Sequence, residues 1–382
     1  MNPIDLLKKL VSINSVFPNE KELAYFLADE LKKAGFKVEL HKFDSDRYNV
    51  LASRGNKGKP VLLCGHIDTV PAYGYDRIKR DPLKLEEKDG KLYGLGAYDM
   101  KAGIAAILKA VQEVKNDKSI KIMFESDEEA DSRGCYFVTK TDFLKDVEFA
   151  IATEISDIHD INEKTRTITL GRRGRVQYEI KVPGKSFHAA RMEHGISAIT
   201  EASKLAIELE KMNKDLPKHP KLSHGNQYVR KFFSESVSLS IPDEATLIVD
   251  RHLVVPETAD GVRKEIQKKI DELYAKGVLK EVDGKRAIIS VKPREVPYLM
   301  PYLTPEDDPN VKQLSRVIEK KLATKVQYNY GLSVADENLI AMQNIPIVSY
   351  GPIGEGEHSN GEWVSKKSYL ELIEVLKEFL LS

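Results

Sequence analysis

Histidine and carboxylate residues follow several apolar segments of the sequence, in an arrangement that suits the ligands of a metal ion. Residues 61–71 read Val-Leu-Leu-Cys-Gly-His-Ile-Asp-Thr-Val-Pro, an apolar run followed by His66 and Asp68. Side chains two residues apart on an extended strand point to the same side, so these two leave the strand together. A histidine with a nearby carboxylate is a candidate metal ligand whose partner fixes its tautomer. The alternative is a loop histidine paired with a surface aspartate.

Further polar residues follow other predicted strands or open a helix, and they are of the types that bind metals. They are Asp99, Glu128, Glu129, Glu154 and His358. In an open α/β sheet the ligand-binding edge lies at the carboxyl ends of the strands, so residues that follow successive strands can converge there. A surface charge cluster would show no such relation to strand ends. The regularity therefore favours a metal site over scattered surface charge.

Two histidines together with several carboxylates suit divalent metal ions, zinc above all, with cobalt or manganese as alternatives. One ion does not need so many carboxylates. The surplus favours two ions that share a bridging group, the arrangement that holds a hydrolytic water. Adjacent Glu128 and Glu129 cannot both face one point on an extended chain. One of them can bind metal while the other acts as the base that amide hydrolysis requires.

The elements that must position these residues alternate between strand and helix. Apolar spacing predicts helices at residues 4–10, 20–33, 102–114, 310–322 and 366–381. It predicts strands at residues 36–41, 48–53, 61–64, 120–124, 147–152 and 346–350. This alternation predicts an α/β fold whose mostly parallel sheet is covered by helices on both faces.

The pattern changes after residue 171. Strands are predicted at residues 175–182, 236–241, 245–255 and 287–292, and helices at residues 195–212 and 258–275. Strand-helix-strand-strand-helix-strand is the split βαβ order of a compact, ferredoxin-like α+β module. We therefore predict a catalytic domain of residues 1–171 and 294–382, and an inserted domain of residues 172–293.

Composition and charge set wider limits. The 382 residues are too many for one ordinary core, which indicates more than one domain. The charges of 59 basic and 59 acidic residues cancel, so the overall charge balance favours neither nucleic acid nor a membrane surface as a partner. No apolar run approaches the roughly 20 residues that span a bilayer, and we expect no signal peptide. Cys64 and Cys135 do not make a disulfide framework, so we expect a cytoplasmic protein.

Three motifs resemble those of the M20 metallopeptidases, a family that includes acetylornithine deacetylase, succinyl-diaminopimelate desuccinylase, aminoacylases and glutamate carboxypeptidase. They are Gly-His-Ile-Asp-Thr-Val-Pro at 65–71, Gly-Leu-Gly-Ala-Tyr-Asp-Met-Lys-Ala-Gly at 94–103 and Glu-Ser-Asp-Glu-Glu at 125–129. Glu154 and the segments around His188 and His358 complete the set. The motifs cover almost the whole chain in the family's order, and jointly they are highly specific.

The resemblance implies a ligand set for two divalent ions, zinc being the first expectation. His66 and Glu154 would hold one ion. Glu129 and His358 would hold the other, and Asp99 would bridge the two.

The resemblance also implies roles for residues that do not bind the ions. Glu128 would be the general base, and Asp68 would orient His66. Family members often have a cis peptide after the bridging aspartate, which predicts one between Asp99 and Met100. The remaining histidines match no motif, and we expect them to be structural or on the surface: His41, His159, His194, His219 and His224.

The inserted domain resembles the family's lid and dimerisation domain. Residues 182–190, Val-Pro-Gly-Lys-Ser-Phe-His-Ala-Ala, resemble the lid segment whose histidine reaches the active site of a neighbouring subunit. His188 would then stabilise an oxyanion across a homodimer. The alternative is a histidine that caps the turn before the next helix. Arg251 would bind the substrate carboxylate, although His252 stands where the family commonly has a second arginine.

We therefore expect a dimetal amide hydrolase that works as a homodimer on a small N-acyl amino acid or a short peptide with a free carboxylate. Two other functions stay open. One is a dimetal aminopeptidase of the M28 or M42 type, which uses a similar ligand order. The other is a catalytically silent homologue that acts as a binding protein. The inserted module with His188 argues against the first, and an intact Glu128 argues against the second.

Overall fold

A computed structural model describes residues 1–155, 165–236 and 238–382 of the chain. Within these residues the α-helices are α1 Pro3–Ser12, α2 Lys21–Lys33, α3 Ala102–Glu113, α4 Arg133–Val138, α5 Ala198–Lys211, α6 Ala259–Ala275, α7 Pro309–Leu322, α8 Glu337–Ala341 and α9 Lys366–Leu381. The strands are β1 Lys37–Asp44, β2 Arg47–Arg54, β3 Lys57–His66, β4 Glu86–Lys88, β5 Lys91–Tyr93, β6 Lys118–Glu125, β7 Phe149–Ala152, β8 Thr165–Arg172, β9 Gly174–Pro183, β10 Lys218–His219, β11 Ser223–His224, β12 Asn226–Phe233, β13 Glu244–Leu253, β14 Ile288–Val291, β15 Tyr302–Leu303, β16 Lys325–Gly331, β17 Ile347–Ser349, β18 Gly354–Glu355 and β19 Trp363–Ser365.

The chain divides into two compact units, each with a hydrophobic core of its own. Unit 1 comprises Met1–Arg172 and Leu303–Ser382, and unit 2 comprises Arg173–Tyr302. The sequence alone placed the second boundary at residue 293, whereas unit 2 extends further. The reason is that Tyr298 and Met300 pack against the core of unit 2, and the carbonyl of Leu299 accepts the backbone N–H of Arg175.

A nine-stranded sheet forms the centre of unit 1. Its strand order is β1-β2-β6-β3-β7-β17-β8-β15, and β16 also pairs with β8. The middle of the sheet, β6-β3-β7-β17, is parallel, while β1 and β2 add antiparallel strands at one edge. A second, four-stranded sheet of unit 1 has the order β18-β19-β5-β4. The predicted α/β class with a mostly parallel central sheet is confirmed.

The register of the parallel strands brings their carboxyl ends level with one another. His66 at the end of β3 pairs with Glu125 at the end of β6, and Cys64 pairs with Ala152 at the end of β7. Parallel strands need crossover connections, and α3 supplies one between β3 and β6. The apolar stripe of α3 is fully buried in the core and consists of Ile104, Ile107, Leu108 and Val111.

Short polar side chains cap the first turn of five of the described α-helices. Each accepts a hydrogen bond from a backbone N–H of the first turn, which satisfies a donor that has no partner within the helix. These capping residues are Asn2, Ser197, Thr258, Asp308 and Ser365. Of the helices in the described ranges, none is both long enough and apolar enough to cross a membrane.

Unit 2 is a four-stranded antiparallel sheet with α5 and α6 packed into the core on one face. Its strand order, β12-β13-β9-β14, places the first strand of the unit between the third and the fourth, as the split βαβ module requires. The core between sheet and helices includes Leu205, Leu247 and Ile266, each fully buried. The predicted ferredoxin-like α+β module is therefore confirmed.

One predicted strand of this module is wrong. The second strand is Asn226–Phe233, not residues 236–241, of which Val237 lies outside the described residues. Asn226–Phe233 pairs with β13 along most of its length, whereas residues 238–241 contact the segment before α5, where the N–H of Ala189 donates to Leu239. Both segments carry apolar residues, and only the pairing partner distinguishes them.

The close packing of α3 against the end of β7 predicts that an added methyl group is destabilising. A Cβ at Gly103 would lie 2.4 Å from the carbonyl oxygen of Thr153 and 2.6 Å from its hydroxyl. We expect Gly103→Ala to lower the free energy of unfolding in urea by about 1–3 kcal/mol, the usual cost of overpacking. Gly261→Ala in the first turn of α6 is the control, since its nearest neighbour is the Thr258 hydroxyl at 3.0 Å. Equal effects of the two substitutions would contradict the packing argument.

Candidate metal centre

The five predicted ligands all lie in unit 1. His66 ends β3, Glu129 and Glu154 follow β6 and β7, Asp99 lies in the turn before α3, and His358 lies between β18 and β19. The structure brings them together in two groups that share Asp99. One group is His66, Asp99 and Glu154, and the other is Asp99, Glu129 and His358, each with its ligand atoms within 4.8 Å of one another.

Asp99 lies between the two histidines and presents one carboxylate oxygen to each. Its Oδ1 is 2.9 Å from Nε2 of His66, and its Oδ2 is 3.4 Å from Nε2 of His358. Each histidine has a second carboxylate beside it. Glu154 Oε2 is 3.4 Å from His66 Nε2, and Glu129 Oε2 is 3.0 Å from His358 Nε2. The two groups therefore share the carboxylate of Asp99.

The charges of this cluster depend strongly on one another. Burial opposes protonation of His66, yet the carboxylates of Glu154 and Asp99 outweigh it and hold its pKa well above the ordinary value. Hydrogen bonds to Asp99 and Glu129 raise the pKa of His358 to about 10. Burial acts to raise the pKa of Asp99, but the two histidines lower it well below its usual range. The carboxylates therefore create a strong local demand for positive charge.

Asp68 organises the cluster through the backbone as well as through its side chain. The Nδ1 of His66 lies 3.0 Å from the carbonyl oxygen of Asp68, and 3.7 Å from its carboxylate. In the neutral ring this contact keeps the proton on Nδ1, so the free nitrogen is Nε2, which faces Asp99. The Asp68 carboxylate itself accepts the backbone N–H groups of Glu128 and Glu129 at 3.3 and 3.0 Å. One residue thus connects the β3 end to the loop after β6.

Glu128 lies next to the predicted ligand Glu129 but is absent from both groups of candidate ligands. Burial raises the pKa of its carboxyl group well above the ordinary value, and the negative charges of Asp336, Glu129 and Glu154 add to this effect against the opposing charge of His66. A carboxyl group with a raised pKa is better able to hold a proton near neutral pH.

A buried ion-pair network supports the loop that carries Glu128 and Glu129. The guanidinium of Arg47 pairs with both Glu20 and Asp127, and all three side chains are buried. Asp127 also accepts the backbone N–H of Arg133 at 3.1 Å, which closes the loop between β6 and α4. The network fixes both ends of a segment that must place two carboxylates.

In unit 2, His188 is exposed and its ring has a defined tautomer. The backbone N–H of Ala190 donates to Nδ1 of His188 at 3.1 Å, so in the neutral ring the proton is on Nε2. This contact is the turn cap that the sequence offered as the alternative role. The contact leaves the Nε2–H group of the neutral ring as a donor.

Arg251 requires a correction. Its side chain is completely buried on the core face of unit 2, where the guanidinium pairs with Glu257 and donates to Gln227 at 3.2 Å. Residues 247, 249 and 253 of the same strand also face this core, as the two-residue period of a strand requires. A guanidinium committed to a buried carboxylate is not available to a substrate, so the structure gives Arg251 a structural role.

The sequence profile of peptidase family M20/M25/M40 matches residues 62–382. The chain belongs to this family. Succinyl-diaminopimelate desuccinylase from Rickettsia bellii (strain RML369-C) is 25% identical over 393 aligned residues, which cover 98% of this chain and 95% of the relative. Acetylornithine deacetylase from Photorhabdus laumondii is 32% identical over 209 residues, 51% of each chain.

Solved structures share the fold of this M20 protein. Aminopeptidase PepT from Bacillus cereus has a TM-score of 0.77 at 18% identity, over 99% of this chain and 96% of that one. An M20 family metallo-carboxypeptidase, Sso-CP2 from Sulfolobus solfataricus, has a TM-score of 0.74 at 19% identity, over 100% of this chain and 98% of that one. The protein is therefore a metallohydrolase of the M20 family with the family's fold.

The residues present fit the divalent metal that membership of the M20 family implies. Imidazole nitrogen and carboxylate oxygen are the ligands that zinc, cobalt and manganese accept from proteins. His66 has its other ring nitrogen occupied by a backbone carbonyl, the usual support of a metal-bound histidine. The carboxylates of the two groups lie close together. Their combined negative charge exceeds the positive charge that two histidines carry, so additional positive charge would stabilise them.

Sequence reasoning missed the residues that hold the ligand-bearing segments in place. Asp127 is buried and pairs with Arg47, which no motif marked. Glu362 was not singled out, although it accepts three backbone N–H groups of the turn that carries Asp99. Neither role has a local sequence signal, because each partner is distant in the chain. Of the histidines without a motif, His159 lies outside the described residues.

The raised pKa values predict that metal binding releases protons. Both imidazole rings favour the doubly protonated, cationic form near neutral pH. The pKa of His66 is raised well above its ordinary value, and that of His358 is raised to about 10. Coordination requires neutral imidazole, so the affinity for a divalent ion should increase as the pH rises toward the pKa of His358. Calorimetric titration of the metal-free protein with zinc in buffers of different ionisation enthalpy measures the protons released.

The control for this titration is His224→Asn, because His224 is exposed in unit 2 and belongs to neither ligand group. It should release as many protons as the unaltered protein, whereas His358→Asn should release fewer. Equal heats in all buffers would show that the histidines are already neutral.

Proposed function

We propose that the protein is a dinuclear metal-dependent hydrolase that cleaves an amide bond in a small N-acyl amino acid or a short peptide with a free carboxylate. The observation that carries this proposal is the position of Asp99, whose two oxygens face two separate histidine and carboxylate pairs. Such a bridging carboxylate suits two ions held close together. The names of the relatives, a desuccinylase and a deacetylase, support the cleavage of N-acyl amino acids.

In this proposal His66 and Glu154 hold one ion, Glu129 and His358 hold the other, and Asp99 bridges them. Zinc is the first candidate because it accepts this mixture of nitrogen and oxygen ligands, and cobalt or manganese would fit the same donors. The bound ions would supply Lewis-acid polarisation of the scissile carbonyl and acidify the attacking water.

Glu128 is the proposed general base. It would take a proton from the attacking water and later transfer it to the departing nitrogen, which then leaves as an amine. Glu128 would hold that proton between the two steps. Asp68 would keep Glu128 in place through the backbone N–H that its carboxylate accepts.

His188 is the proposed donor to the oxyanion, acting across a homodimer. Its exposed ring and the proton on Nε2 support this role, because a neutral imidazole can donate a hydrogen bond to developing negative charge. Unit 2 would then be the lid and dimerisation domain. A cytoplasmic location also stays a prediction, supported by two free, buried cysteines, Cys64 and Cys135.

The first test is hydrolysis of a substrate panel by the zinc-loaded protein. The panel contains N-acetyl and N-succinyl amino acids, N-blocked dipeptides and free dipeptides. We expect turnover of N-blocked compounds that carry a free carboxylate, and loss of turnover when a chelator removes the metal. Turnover restricted to substrates with a free amino terminus would instead indicate an aminopeptidase. Such an aminopeptidase would be a member of the M20 family and not of the M28 or M42 type, because the chain belongs to the M20 family.

Glu128→Gln is the variant that separates a catalyst from a silent binding protein. It removes the base but keeps the size and shape of the side chain. We therefore expect kcat to fall by about 10²–10⁴-fold with unchanged metal content. Glu148→Gln, at an exposed position just before β7, is the matched control and should leave turnover unaltered. Unchanged turnover in Glu128→Gln would remove Glu128 from the mechanism.

Mixed dimers test whether His188 acts across subunits. A homodimer of His188→Ala chains has the base but lacks the histidine, and a homodimer of Glu128→Gln chains has the histidine but lacks the base. Each variant alone should therefore be nearly inactive. In a mixed dimer the first chain would have an intact base together with the histidine of its partner, which makes one complete site. We expect activity to return on mixing the two under conditions that exchange subunits. If the mixture stays inactive although exchange is demonstrated, His188 does not act across the dimer.

A further inference from the structure

Glu362 is a buried carboxylate whose partners are backbone groups of the turn that carries Asp99. Only 2% of its surface is exposed. Its Oε2 accepts the N–H of Gly96 at 2.9 Å, and its Oε1 accepts the N–H groups of Tyr98 and Asp99 at 2.8 and 3.0 Å. Both carboxylate oxygens are therefore occupied as acceptors by one short segment more than 260 residues earlier in the chain.

The three N–H groups converge because the backbone turns at Gly96, where φ is +67°. A Cβ at this position would also lie 2.4 Å from the Cγ2 atom of Thr69, so both the conformation and the space require glycine. Successive N–H groups that point into one concavity favour an anion. The two carboxyl oxygens of Glu362 fill this concavity as hydrogen-bond acceptors.

Glu362 also belongs to the loop that carries the second histidine. It follows His358 by four residues and immediately precedes β19, which begins at Trp363. One carboxylate therefore connects the backbone that carries Asp99 to the segment that carries His358. The backbone of Asp99 cannot shift far without stretching these three hydrogen bonds.

We propose that Glu362 is a positioning residue for the metal centre, which holds the backbone of Asp99 so that its carboxylate lies between His66 and His358. The inference rests on the proposed dinuclear function. Glu362 is absent from both ligand groups, so it acts through Asp99 and the loop of His358 rather than by binding an ion.

The chemistry of the contact explains why a carboxylate is needed. An amide has one acceptor oxygen and one N–H₂ group. In Glu362→Gln at least one backbone N–H would face another donor in a buried place, and that hydrogen bond would be lost. The side chain would have the same size, so any effect on the metal centre would come from the hydrogen bonds and the charge.

The test is the zinc affinity of the metal-free protein, measured by competition with a chromogenic chelator. We expect Glu362→Gln to bind zinc about 10–100-fold more weakly, the usual effect of removing a residue that supports metal ligands. Glu362→Asp keeps the charge but shortens the side chain, so it should also bind more weakly. The visible spectrum of the cobalt-loaded variants should differ from that of the unaltered protein, because the position of Asp99 alters the ligand field.

Glu371→Gln is the matched control for a merely structural role. It breaks the ion pair between Glu371 and Arg166, which is also in unit 1 and contains none of the proposed ligands. Thermal unfolding of the metal-free proteins should show that Glu371→Gln is destabilised. Its zinc affinity and the spectrum of its cobalt-loaded form should stay unchanged.

The outcomes separate this inference from the proposed function. If the unaltered protein binds zinc and both Glu362 variants bind it equally well with the same cobalt spectrum, the positioning role is overturned and the metal function stands. If Glu362→Gln does not fold, the affinity of Glu362→Asp decides by the same criterion. If the unaltered protein binds no divalent ion at all, the proposed function fails and the inference falls with it.

Discussion

The carboxylate of Asp99, held between two histidines, is the interaction on which the rest of the centre depends. Each of its oxygens faces a different histidine, and each histidine has one more carboxylate beside it. Negative charge gathered in a low-dielectric place is costly unless positive charge accompanies it. The raised pKa values of the two histidines show how strongly this cluster attracts positive charge. Divalent ions would satisfy the same demand with the same atoms.

Holding such groups together requires control of the backbone, since the side chains come from segments far apart in the sequence. Two carboxylates outside the ligand groups provide it by accepting backbone N–H groups. Asp68 accepts those of Glu128 and Glu129, and Glu362 accepts those around Asp99. The ends of parallel strands give the approximate positions, and these hydrogen bonds refine them. The centre is therefore supported by a layer of acidic residues that never touch a metal in the proposed arrangement.

Unit 2 shows how the face of the sheet decides the role of a charged residue. Arg251 lies on β13 with its side chain toward the helices, among residues that form the core, and its charge is balanced by Glu257. Its neighbour Asp250 points to the opposite face, where Arg175 donates to it at 2.6 Å. Counting by two along β13 from Leu247 or Val249 indicates this burial from the sequence. The family resemblance had directed attention to the residue type instead.

The sequence by itself determined the class of fold, the split βαβ insertion and the residues that form the two ligand groups. The fold depends on local patterns, namely the apolar periodicity of strands and helices, and the division of the ligands into two groups followed from motifs that resemble those of the M20 family. Only the tertiary structure decided which segment pairs with β13, that Glu257 balances the charge of Arg251, and that Arg47 and Glu362 hold the ligand-bearing loops. Glu362 and Asp99 are 263 residues apart and meet through backbone N–H groups, which every residue type except proline offers. A contact of that kind leaves no pattern in the sequence, because one of its partners has no side chain involved.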